Sequence, residues 1–152
     1  MRTLYKTTVT ASIMMAALAM AAAAAATDSP VGTWKTIDDA TGKPKSIIRI
    51  TESNGVLQGK IEKLFRAPDM DQNPNCDKCT GANKDQPIIG LTILTGLKKD
   101  GKEWTGGEIT DPADGKVYKS KAELIEGGAK LQVRGYRGIS MFGRTQTWVR
   151  EE

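Results

Sequence analysis

The chain has 152 residues and no histidine, with 22 basic and 18 acidic residues for a formal charge of +4. The missing imidazole removes Ser-His-Asp and Cys-His nucleophilic sites and every histidine-ligated metal site. So slight a positive balance is no nucleic-acid footprint, and it shrinks to 20 against 18 once Arg2 and Lys6 are set aside with the leader described next.

Residues 1–26 run from a short basic region through an apolar stretch, Val9 to Met20, into the alanine tract Ala21 to Ala26. Small residues at Ala24 and Ala26 before the polar Thr27 have the order of a secretory signal peptide cut after Ala26. A membrane anchor is the weaker reading, because alanine is only weakly apolar and no basic stop-transfer cluster follows. No cysteine marks the cut, as a lipid-anchored protein would require. The expectation is a protein that does not span the membrane, in a bacterial periplasm or outside the cell. Its single domain would occupy 27–152, a length at which about two-thirds of the unfolded chain's surface can be buried.

From Val31 onward the pattern has period two, with turn signals every ten or so residues, the mark of an antiparallel all-β domain. The expected strands are 31–37, 46–52, 56–65, 88–97, 103–110, 116–125, 130–136 and 144–150. Asn54-Gly55 is the strongest hairpin signal, since both residues tolerate positive φ. Eight sequential strands with tight connections predict an up-and-down barrel, which leaves no sheet edge open; a sandwich is the alternative. In the sixth strand Tyr118, Ser120, Ala122 and Leu124 share one face. That face leaves room for a ligand cavity, with a tapered, fully packed interior as the alternative.

One stretch, 66–87, is too long to be an ordinary connection in a small domain. It contains both cysteines, Cys76 and Cys79, for which an oxidising compartment favours a disulfide. A redox site would need the pair to open a helix, and zinc would need two more ligands. Alternating oxygens from Asp69 to Asp77 suggest a calcium loop, but Pro74 and Thr80 stand where that loop needs glycine and glutamate. The expectation is therefore no metal and no cofactor.

Several runs resemble a known family. They are the opening Gly32-Thr33-Trp34, Ile93 to Lys98, Trp104 to Ile109, Asp111-Pro112, Gly115 to Tyr118, and the closing Gly135 to Arg150. Together they resemble the bacterial exported family catalogued as domain of unknown function 2147, over essentially 31–150. The resemblance implies a lipocalin-like, or calycin-like, eight-stranded barrel. It also implies that Trp34 plugs the closed end beneath a late arginine, Arg144 or Arg150, and it gives Trp148 a structural place.

On these grounds the chain is expected to bind or carry a small, largely apolar or amphipathic ligand. Lining candidates are Trp104, Tyr118, Leu124 and Tyr136, with Arg134 or Arg137 as anchor for a carboxylate or phosphate head group. The competing reading is an envelope interaction protein with a packed barrel, using the long loop or an apolar patch of Ile139, Met141 and Phe142. Catalysis is the least supported reading. Asp111 and Asp114 are better explained as turn formers in a Pro-Gly bend than as an acid–base pair.

Overall fold

The computed structural model describes residues 27–139 and 141–151; the leader reading falls outside them. Eight antiparallel strands follow one another around a closed barrel. They are β1 (Gly32–Ile37), β2 (Pro44–Ser53), β3 (Val56–Leu64), β4 (Thr92–Asp100), β5 (Glu103–Asp111), β6 (Lys116–Ile125), β7 (Lys130–Tyr136) and β8 (Gly143–Arg150). The seam that closes the barrel is short, with Trp34 opposite Arg150 and Lys35 opposite Val149.

Local chemistry accounts for most connections. Asn54 and Gly55 adopt φ of 51° and 77°, the left-handed geometry whose twist matches the flanking strands β2 and β3. At the β1–β2 turn, Asp38 Oδ1 accepts the Ala40 and Thr41 N–H groups, so the bend caps itself.

One strand differs from expectation. β4 begins at Thr92 rather than Ile88, because the backbone before it is used elsewhere: Ile88 N–H donates to Pro74 O, and Gly90 N–H to Ile61 O. β4 also runs on through Lys98 and Lys99 to Asp100, which moves the turn to Gly101-Lys102.

Antiparallel order places the two kinds of connection at opposite ends. At one end lie the tight turns after β2, β4 and β6, together with the incoming segment 27–31. That segment crosses the barrel base, where Thr27 N–H donates to Gly127 O and Arg150 Nε to Gly128 O. At the other end lie the β1–β2 turn, the long β3–β4 loop, the β5–β6 turn and the β7–β8 loop.

The core follows the period-two pattern and is concentrated toward the base. Trp34, Ile50, Leu57, Leu97, Trp104, Ala122, Leu131 and Val133 are all buried there. Trp34 is fully buried, its Nε1–H donates to Pro30 O at 2.7 Å, and the Arg150 guanidinium sits 4.2 Å from its ring centroid. Arg150, rather than Arg144, thus makes the stacking contact, while its guanidinium also donates to the Val31 and Ser29 carbonyls. Burial pulls the Arg150 pKa below the ordinary guanidinium value.

A candidate ligand cavity at the open end

Above the packed base the barrel is hollow. A cavity of about 1540 Å³ opens at the end that carries the long loop. Its deeper wall is apolar, built from Ile48, Ile61, Ile93, Ile109 and Trp148. A buried pair, Thr36 Oγ1 and Ser46 Oγ at 2.6 Å, lies in the same wall. The cavity exists because inward positions toward the open end are occupied by small or slender residues. Gly135 is the clearest case. A Cβ there would stand 3.4 Å from Ile109 Cγ2 and 3.6 Å from Tyr118 Cβ, so the position has room for a side chain.

The long loop forms part of the mouth. It is tied to itself by the Asn75–Pro87 bridge, by Cys76 N–H donating to Gln86 O, and by the Cys76–Cys79 disulfide. With their sulfurs bonded to each other, the cysteines supply no thiolate to a metal. The loop leans on the β5–β6 turn so closely that a Cβ at Gly115 would fall 1.8 Å from Lys78 O. Pro74, Asn75 and Lys78 of the loop and Pro112 to Asp114 of the turn accordingly share one side of the opening.

Polar chemistry gathers at this rim. The Tyr118 hydroxyl donates to Asp114 Oδ2 at 2.6 Å, and the Arg137 guanidinium lies 5.1 Å from the Tyr118 ring centroid. That hydrogen bond holds the Asp114 carboxyl below the ordinary carboxylate range and raises the Tyr118 phenol above its usual value. Arg144 pairs with Asp39, its Nε 3.0 Å from Oδ2, and the contact raises its pKa further. Asp111 Oδ1 accepts the Ala113 N–H and Asp114 Oδ1 the Lys116 N–H, so both carboxylates serve the turn between β5 and β6.

The residues expected to line a site are divided by depth. Tyr118, Tyr136 and Arg137 border the cavity. Trp104 and Leu124 do not: they lie on the correct face but nearer the base. Trp104 is opposite Ala122 and beneath the Lys99 ammonium, and Leu124 is opposite Leu131. Ser120 and Ala122 are likewise packed below the cavity. Arg134 is corrected on parity. Leu131 and Val133 point inward, so Arg134 points outward, where its guanidinium donates to Thr145 Oγ1 and Met141 O.

Residues that the sequence did not single out complete the mouth: Phe65, Arg66 and Met70 from the start of the long loop. The exposed apolar residues of the β7–β8 loop stand beside them. Met141 and Phe142 border the opening and are 76% and 72% exposed. Among the described residues no helix is long and apolar enough to cross a membrane.

Comparison with solved structures supports the architecture. A Helicobacter pylori protein, HP1028, described as belonging to the lipocalin family, aligns with a TM-score of 0.66 at 21% identity, over 80% of this chain and 82% of that one. At that identity the likeness establishes a shared fold. The curated proteins give no match. The model of a family described as uncharacterised proteins conserved in bacteria, domain of unknown function 2147, matches residues 32–150, and the chain belongs to that family.

Proposed function

We propose that this chain is an exported binding protein that holds a small, largely apolar or amphipathic ligand in the open half of its barrel. The observation that carries the reading is the cavity. Its volume of about 1540 Å³ exceeds the roughly 300–1,000 Å³ common for small-molecule sites, its deep wall is largely hydrocarbon apart from the Thr36–Ser46 hydroxyl pair, and its charged groups gather at the mouth. An interior of this kind favours a ligand that buries an apolar body and leaves a polar end near water. The lipocalin-like architecture is compatible with the same use, and the leader-like 1–26 supports a periplasmic or secreted location.

Native mass spectrometry of protein recovered from the periplasm of its own host tests this directly. A small molecule should travel with the chain, and the chain itself should begin at Thr27. Protein that is always free of ligand, and competes for none from a lipid extract, contradicts the reading.

The second reading, an envelope interaction protein, has its own observation in the exposed Ile139, Met141 and Phe142. Two of these three residues border the cavity mouth, which also suits a loop that greets an apolar ligand. Catalysis is not assigned, because the paired carboxylates that suggested it are used in a turn.

A further inference from the structure

Among the described residues, Thr33, Arg66 and Ser120 each bury a side-chain polar atom without a partner, and of the three Arg66 is the one that lines the cavity. It follows the end of β3, stands in the wall of the cavity and is half-buried. Its Nε is shut away from solvent and has no hydrogen-bond partner, and among the described residues no carboxylate pairs with its guanidinium. Native proteins rarely leave a buried donor unmatched, and a guanidinium cannot escape the difficulty by losing its proton.

The other arginines near the opening are differently placed. Arg144 is paired with Asp39, Arg137 lies over the Tyr118 ring, and Arg134 faces outward to Thr145. Of the four acidic residues lining the cavity, Asp77 makes no ion pair with Arg66 and the other three have partners of their own. Asp71 Oδ1 accepts the Asn73 N–H, while Asp111 and Asp114 serve the β5–β6 turn. No acceptor for Arg66 Nε lies among the described residues, which leaves a place for one supplied by a bound ligand at the mouth of a cavity with apolar depths.

Resting on the carrier reading, we infer that the ligand is an amphiphile with an anionic head group, bound tail inward with its carboxylate or phosphate at Arg66. A planar guanidinium is the side chain best matched to either head, through two parallel N–H···O contacts. Arg137, over Tyr118 at the same mouth, adds positive charge nearby.

The test is fluorescence titration of the exported protein with dansylaminoundecanoic acid and with its methyl ester, which differ only in head-group charge. Wild type is expected to bind both, the acid about tenfold more tightly, as a charge-assisted hydrogen bond implies. Arg66→Met should abolish the preference for acid over ester, and Arg66→Lys should restore part of it. Laurate or dodecyl phosphate should displace the acid probe, and inorganic phosphate without a chain should not. Equal binding of acid and ester by wild type, or a preference that survives in Arg66→Met, overturns the inference and leaves the carrier reading standing. Displacement by inorganic phosphate alone also overturns it, since the site would then take the free anion. Binding of neither probe removes the carrier reading and this inference with it.

Discussion

Two side chains show how single residues define the ends of this barrel. Trp34 is buried at the base between Pro30 and Arg150, with its indole N–H used and its ring face covered by a cation. Replacement by alanine is expected to cost about 3–5 kcal/mol, as large aromatic truncations in cores do, measured by chemical denaturation. Near-wild-type stability would mean that the base is closed by something other than this plug. Tyr118, at the opposite end, shares a proton contact with Asp114. The Asp114 pKa is lowered in the fold, so that contribution is present above the unfolded carboxylate range and is lost as pH falls through the folded value. The Tyr118 pKa is raised, so the same bond is intact below the unfolded phenol range and is lost as pH rises through the folded value. Tyr118→Phe is therefore expected to raise the Asp114 pKa back toward the ordinary carboxylate range in an NMR titration. An unmoved Asp114 titration would show that its turn, not Tyr118, sets the value.

Among the elements, the strands were legible in the sequence and the cavity was not, for one physical reason. Period-two alternation reports which face of a strand a residue occupies, and it assigned Tyr118, Ser120, Ala122 and Leu124 correctly to one face. It carries no information about depth along the barrel axis, which separates Tyr118 at the mouth from Leu124 near the base. Trp104 was misplaced for the same reason, whereas Arg134 falls on the outer face by the same period-two alternation that turns Leu131 and Val133 inward. Arg66 carries no motif at all; only the folded chain shows a buried nitrogen without a partner.

The long loop also depends on a contact remote in sequence, its approach to Gly115. Gly115 has φ of +70° and no space for a Cβ, whereas Gly101 has φ of +63° with nothing within 4 Å. Gly101→Ala should thus cost about 1 kcal/mol from backbone conformation alone. Gly115→Ala should cost more and should detach the loop, seen as faster hydrogen exchange at the Cys76 amide. Equal costs with unchanged exchange would show that the loop does not rely on this turn. The disulfide closes so small a ring that its chain-entropy effect is about 2 kcal/mol, so its main effect is on the shape of this loop.

For the whole molecule, the fold combines a packed base with a hollow upper half inside one closed sheet. Closure gives each strand two neighbours and so leaves little open edge, even though the β1–β8 seam joins only Trp34 with Arg150 and Lys35 with Val149. Stability comes from the base, where Trp34, Leu57, Leu97 and Leu131 are fully or almost fully buried. Ligand binding, in this account, uses the space the base does not need.

Gly135 lies on the inner wall of that space, with ordinary backbone geometry and room for a side chain. The most direct measurement is therefore binding of an acyl fluorescent probe to wild type and to Gly135→Leu, alongside thermal melting of both. Melting should be unchanged or slightly raised, because glycine replacement at a compatible site stabilises by about 0.4–1 kcal/mol. Probe binding by wild type that is lost in Gly135→Leu is the predicted result. A lowered melting point, as overpacking a filled core produces, with no probe bound by wild type, would contradict the account and mean that the upper barrel is closed in solution.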